Sequence, residues 1–462
     1  MDSTERDAVI RGVAAFMAEC VDVARAAAES ESPELRAVLK EYLGQDPGSL
    51  PVVGLLVQPH QFVNLDVAMK WVVKAHGGGT MIGVGGGDQR HHFSFGDLVQ
   101  RAGRWGRYPV AAVECASLAS GPAEQTQVVA YGIHLFRHDG TAVAVLQRQS
   151  QSRFGRDQAG IEVLAPTGVA ESLLAEVRTA MVERSVFRGQ VLTLGPSDEA
   201  YGSGVGGITF HSRPQLTPDE IVLPPGALLR IERHVVGVAV HREALLAAGQ
   251  HLKRGVLLYG PPGTGKTHTV RYLLAQMADV TTVLLSGASL QFVGAAAELA
   301  VALQPALVVL EDVDLVAENR DLHSDAQPLL FTVMEAMDGL AGDADVAFLL
   351  TTNRADLLEP ALAQRPGRVD LAVEIPLPDR PARAALLRLY ARGLPLTPAA
   401  LDTAADRTEG ITASFVKELL RRTTLLAIEE GRPVADTDLI NALDELHHDR
   451  ETLTRSLLGS PA

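Results

Sequence analysis

Hydrophobic positions along this chain change period more than once. In residues 8–43 they recur at helical spacing. Val9, Val13, Phe16, Met17 and Cys20 mark one helix, and Ser30-Glu31-Ser32-Pro33 opens a second. Residues 51–57 form a short apolar run that predicts a strand, and residues 64–75 are helical again. Between about 108 and 164 the period shortens. Apolar residues alternate or cluster at 110–113, 128–136 and 141–147, and His138-Asp139-Gly140 supplies a hairpin turn between the last two. A helix is predicted over 173–186 and a strand over 190–194, so this part reads as an α+β domain. Gly77-Gly78-Gly79 and Gly85-Gly86-Gly87 lack a following Lys-Ser/Thr and read as flexible loops. Residues 195–219 are rich in Gly, Ser and Pro and read as a linker, with the domain boundary at 206.

Beyond the linker comes a helix pattern at 226–249 and then an apolar run at 256–259. It leads into Gly260-Pro261-Pro262-Gly263-Thr264-Gly265-Lys266-Thr267, and a helical run covers 268–278. Strand, glycine-rich turn and helix in this order make a P-loop. Glycines let successive N–H groups turn inward around a polyphosphate, and the helix N-terminus adds partial positive charge. Lys266 supplies a point charge for the β- and γ-phosphates, and the Thr267 hydroxyl can bind Mg²⁺. Four to five apolar residues then lead to Glu311-Asp312, the pattern of a buried parallel strand delivering acids at its C-terminal edge. One carboxylate is expected to hold Mg²⁺ through water and the next to polarise the attacking water. A third apolar strand over 346–352 ends at Asn353, an amide able to orient that water, and Arg365 and Arg368 precede a further strand at 371–375.

Composition narrows the picture. A net charge of −15 with no long basic run makes a nucleic-acid partner unlikely by charge. Cys20 and Cys115 are the only cysteines, which implies no disulfide framework or thiolate metal site and suits the cytoplasm. No apolar run approaches the ~18 residues of a membrane span, and the acidic N-terminus is unlike a signal peptide. Scarce lysine alongside abundant Ala, Gly and Val is the composition of a GC-rich bacterial genome. His91, His92 and His134 lack further ligands at metal spacing and read as packing or surface histidines.

Taken in order, Lys266-Thr267, Glu311-Asp312, Asn353, Arg365 and Arg368 resemble an AAA ATPase of the AAA+ superfamily, over residues 215–450. The resemblance implies an α/β fold: a parallel P-loop sheet with a small helical lid, behind an α+β N-terminal domain. Its domains would be 1–206, 207–378 and 379–455. By that resemblance Gly260 to Thr267 is Walker A, Glu311-Asp312 ends Walker B and Asn353 is sensor 1. Arg365 and Arg368 resemble arginine fingers acting on ATP held by a neighbouring subunit, which implies a homo-oligomeric ring, usually a hexamer. Leu290-Gln291-Phe292-Val293-Gly294 resembles the pore loop of protein translocases, with Phe292, Val293 and Gly294 as the gripping segment. The Glu-Asp order of Walker B inverts the commoner Asp-Glu and is similar to the subgroup of the mitochondrial Rieske-protein translocase. The implied cofactors are ATP and Mg²⁺, and the implied work is chaperone-like: remodelling, unfolding or translocating protein, with the N-terminal domain reading a substrate or adaptor. Two other readings fit the same residues: a nucleotide-sensing scaffold with slow turnover, and a nucleic-acid motor on the same fold.

Overall fold

The computed structural model describes residue 16, residues 33–101, 108–151, 154–195 and 207–314, residues 335 and 339, and residues 342–354 and 369–457. The chain divides into two compact units. Described residues up to Val186, with Gly207 and Ile208, belong to the first, and Phe187–Gly195 together with the chain from Thr209 onward, which carries all of β9 but its first residue, belong to the second.

The first unit runs α1 (Leu35–Leu43), β1 (Val52–Val57), α2 (Phe62–Ala75), β2 (Gly79–Val84), α3 (Phe95–Arg101), β3 (Val110–Ala111), β4 (Glu114–Ala119), β5 (Gln125–His138), β6 (Thr141–Arg148), β7 (Ala159–Leu164) and α4 (Thr167–Glu183). The strands form one antiparallel sheet in the order β1-β7-β6-β5-β2-β3, with β4 also on β5. Strand residues alternate faces. Tyr131, Ile133 and Leu135 of β5 therefore share one core with Leu35 and Leu39 of α1 and Phe95 and Leu98 of α3. Helices α2 and α4 pack against each other. The buried Asp66 of α2 accepts hydrogen bonds from the Val129 N–H and Gln147 Nε2, both at 2.8 Å, and so pins α2 to β5 and β6. The expected hairpin is present, with His138 paired to Thr141 across the turn. Gly77 and Gly78 are not a flexible loop: both take positive φ (89° and 85°), and the Gly78 N–H closes α2 onto the Val73 carbonyl at 2.8 Å. The expected first helix, around Val9 to Cys20, falls almost wholly outside the described residues.

The second unit contains β8 (Val191–Leu194), β9 (Ile208–His211), α5 (Ala227–Glu232), α6 (Arg242–Ala247), β10 (Arg254–Tyr259), α7 (Lys266–Gln276), β11 (Thr281–Ser286), α8 (Val293–Ala302), β12 (Ala306–Glu311), β13 (Val346–Thr352) and β14 (Leu371–Glu374). Helices α9 (Arg380–Tyr390), α10 (Pro398–Arg407), α11 (Ala413–Glu429) and α12 (Asp436–Leu457) follow. The sheet order is β14-β10-β13-β12-β11-β8-β9, parallel at every pairing from β14 to β8. Its central strands are buried on both faces, which is why they read as unbroken apolar runs.

Two expectations need correcting. The strand at 191–194 belongs to this sheet, beside β11, rather than to the first domain, and β9 lies inside the segment read as a linker. The predicted single helix at 226–249 is broken by a π-helical turn at Arg233–Gly237.

The last four helices form their own core, with Leu387, Ala404, Leu419 and Leu443 fully buried. Asp379, Thr397 and Thr412 cap α9, α10 and α11 with side-chain oxygens, and proline opens the first two of these helices.

Candidate active site

Strand β10 delivers the chain to Gly260, which stands at φ 141°. A Cβ there would lie 2.2 Å from the Ile375 carbonyl oxygen, so only glycine can pass beside the end of β14. The loop then turns back, with the Thr264 hydroxyl donating to the Pro261 carbonyl at 2.9 Å. Lys266 opens α7, and its Nζ donates to the carbonyls of Gly260 (2.8 Å) and Pro261 (2.9 Å) and to Asn353 Oδ1 (2.8 Å). Burial lowers the Lys266 pKa, against the opposing pull of Asp312 and Asp314.

Strand β12 ends at Glu311, in register with Ser286 of β11. Burial raises the Glu311 carboxyl above its usual range and the Asp312 charge adds to the rise. A hydrogen bond from the Thr267 side chain and the Arg271 charge work the other way. Glu311 Oε1 is buried and has no hydrogen-bond partner among the described residues. Asp312 takes a left-handed conformation (φ 51°), with its N–H on Thr351 Oγ1 at 3.0 Å. Asn353 Nδ2 donates at 3.3 Å to both Asp312 Oδ1 and Asp314 Oδ2. Asp314 also accepts from the Thr352 hydroxyl (2.9 Å) and the Asn353 N–H (3.1 Å). Burial pushes the Asp314 carboxyl up, but these hydrogen bonds outweigh it and leave the group below its usual range.

Gly265, Lys266, Thr267, Asp312, Asn353 and the lid residue Lys417 line one cavity of about 360 Å³. A second cleft of about 370 Å³ shares Ala413 with it and is lined by apolar groups, among them Val222, Leu223, Pro378 and Leu386. The lid meets the loop directly, since the Ser414 N–H donates to the Gly263 carbonyl at 3.2 Å. A cationic, glycine-walled cavity beside an apolar cleft suits a polyphosphate carrying a flat base. The orphaned Glu311 oxygen next to Thr267 fits a hydrated hard cation: Thr267 would hold Mg²⁺ and Glu311 would accept from its waters.

The structure thus brings Lys266, Thr267, Glu311, Asp312 and Asn353 together around one centre. Arg365 and Arg368 lie outside the described residues. Phe292 is half-buried at the start of α8, Val293 is fully buried and anchors that helix, and Gly294 is half-buried. Sequence reasoning missed Asp314 and Lys417. Asp314 had a signal, as the acid two residues beyond Asp312; Lys417 had one too, three residues after Ser414 and so on the same helical face. His134 is packed as expected, with Nε2 3.0 Å from Gln147 Oε1 and its pKa lowered by burial.

Sheet order, phosphate loop, acidic strand end and helical lid together define a P-loop ATPase unit with an AAA+ fold. Comparison with known proteins agrees: residues 256–377 match the family described as "ATPase family associated with various cellular activities (AAA)". The second unit therefore carries an AAA domain, of a class that hydrolyses ATP. The chain is 36% identical over 212 residues to the ATP-dependent zinc metalloprotease FtsH 3 of Sphaerobacter thermophilus, covering 43% of each protein. To the ATP-dependent zinc metalloprotease FtsH of Mycobacterium bovis it is 34% identical over 216 residues, 43% of this chain and 28% of that protein. To the proteasome-activating nucleotidase of Thermococcus onnurineus it is 27% identical over 329 residues, 68% of this chain and 79% of that protein. The chain spans less than half the length of the metalloproteases it matches. Among the described residues no helix is long and apolar enough to cross a membrane.

Proposed function

We propose that this chain hydrolyses ATP with Mg²⁺ and uses the energy to remodel, unfold or translocate protein, as a ring of its own copies in the cytoplasm. The observation that carries this reading is the convergence of Lys266, Thr267, Asp312 and Asn353 on one cavity at the lid, with Glu311 bonded to Thr267 behind it. Lys266 would give up its carbonyl partners for the β- and γ-phosphates. Asp312, held by Asn353, would polarise the attacking water, and Asn353 would keep that water in line. Bound Mg²⁺ would neutralise charge building on the transferred phosphoryl group. Thr267 and Glu311 together would account for the metal side of the site, so the inverted Glu311-Asp312 order remains compatible with turnover. The three relatives, two named as ATP-dependent metalloproteases and one as a proteasome-activating nucleotidase, support a protein substrate. The first unit would select that substrate or its adaptor.

Arg365 and Arg368 would complete the site of a neighbouring subunit. ATP turnover per subunit is then expected to climb steeply with protein concentration and to fall ~10³-fold or more in Arg365→Ala, the scale of a lost arginine finger. Turnover that is independent of concentration and unchanged in the variant would refute the composite site. Near-zero turnover in a protein that still binds ATP would bring forward the slow-turnover scaffold, for which the Glu311-Asp312 order is the motivating feature.

A further inference from the structure

The first unit contains a cluster unrelated to the nucleotide cavity. Three separate elements meet there: His76 at the C-terminus of α2, His138 at the end of β5, and Glu176 in the middle of α4. His76 Nε2 lies 2.9 Å and His138 Nε2 3.0 Å from the same oxygen, Glu176 Oε2. The ring centroids are 4.5 Å apart, and the three ligand atoms lie within 4.8 Å of one another. We propose that His76, His138 and Glu176 form a binding site for a divalent cation of the zinc class.

Three observations carry the proposal. The donor set is two imidazoles and one carboxylate, which suits zinc and its neighbours and not Mg²⁺ or Ca²⁺. The spacing is close to what a tetrahedral ion requires: with Zn–N and Zn–O bonds of about 2.0–2.2 Å, neighbouring ligand atoms stand roughly 3.3–3.5 Å apart. The two imidazole–carboxylate distances, 2.9 and 3.0 Å, are a few tenths of an ångström short of that, and both rings would move outward from Glu176 to admit the ion.

The far side of the two rings is arranged as well. Asp139 places Oδ1 3.7 Å from His76 Nδ1 and Oδ2 3.9 Å from His138 Nδ1. The Asp139 N–H here donates to His76 Nδ1 at 3.5 Å; when both Nε2 atoms bind a metal, both Nδ1 atoms carry protons, and the Asp139 carboxylate would replace that N–H and fix tautomer and ring orientation. Asp139 is held in place by the β5–β6 turn, at φ 48°. Its side chain is 76% exposed and free to close on the rings, while His138 is buried at 3%. The α2 end that presents His76 is locked by the Gly78 closure onto Val73. With three protein ligands, the fourth position is left for water or for a group presented from outside.

The test uses the tag-free 462-residue chain, stripped with chelator and titrated with Co²⁺ in the presence of excess Mg²⁺ to occupy oxygen-only sites. One Co²⁺ per chain is expected, with the visible d–d absorption of a four- or five-coordinate ion, displaced by one equivalent of Zn²⁺. Glu176→Gln and His76→Gln, both at partly exposed positions that leave the core closed, are expected to abolish the band. Asp139→Asn is expected to weaken binding by about 10–100-fold. Absence of the band in the wild-type protein at tens of micromolar Co²⁺, or a band that survives both ligand substitutions, would overturn the proposal. In that case the three residues would be a hydrogen-bonded pin between α2, the hairpin and α4. Because the readout is metal binding, the outcome is independent of ATP hydrolysis.

Discussion

Glu311 meets two opposed demands. Its carboxyl is kept in a largely dry position, where burial favours the neutral form, yet its proposed work on the metal side of the site needs the charged one. The consequence for stability follows from linkage. A carboxyl whose folded pKa is raised binds its proton more tightly in the folded than in the unfolded chain. The associated stability is full below the unfolded value of about 4.3 and is lost as pH rises through the folded value. Replacing Glu311 with Gln removes the buried charge and keeps a partner for Thr267. In the nucleotide-free protein Glu311→Gln is therefore expected to raise Tm at neutral pH, by an amount that shrinks toward zero near pH 4. ATP turnover is expected to drop ~100-fold or more, as for any displaced catalytic geometry. Calorimetry across that pH range, beside an ATPase assay, decides it; a lower Tm at pH 7 would mean that the apo site stabilises the carboxylate. Lys266, Thr267, Glu311, Asp312 and Asn353 were legible because motif and strand fix them locally. The part played by Asp314 was not, because its hydrogen bonds run across the gap between β12 and β13, to Thr352 and Asn353.

At the level of elements, the place of a strand was more readable than the sheet it joins. The apolar strands β10, β12 and β13 and the helix α7 stand near where their patterns put them. Strand β8 was read at its place but not in its sheet, because its partner β11 lies far away in sequence, and β9 was not read at all, because glycine, serine and proline surround it. Leu192 makes the difference testable. It pairs opposite Val283 of β11 and is fully buried. Leu192→Ala is expected to cost about 2–5 kcal/mol. The loss should appear in the thermal transition that ATP raises, since a ligand stabilises the unit it binds. A loss confined to a transition insensitive to ATP would return β8 to the first unit.

At the scale of the whole molecule the proposed function requires that a cleaved phosphate move a substrate. The second unit offers a short route. Glu311 ends β12 in register with Ser286, the last residue of β11, and from Ser286 the chain passes through a 3-10 segment to Phe292. Val293 is buried and ties the next helix, α8, to the sheet, so movement at the strand ends reaches Phe292 with little slack. Phe292 itself is half-buried, and under the proposed function it would face the substrate in a ring of copies. A net charge of −15 disfavours a polyanion in that position and leaves an aromatic grip on polypeptide as the better use of the ring. Phe292→Ala is therefore expected to keep ATP turnover within a few fold of the wild type while abolishing ATP-driven unfolding of a fluorescent protein with an unstructured tail. Phe292→Tyr, which keeps the aromatic face, is expected to restore unfolding. Equal losses of turnover and unfolding in the alanine variant would assign Phe292 to packing at the start of α8. Intact unfolding in the same variant would place the substrate contact elsewhere in the chain.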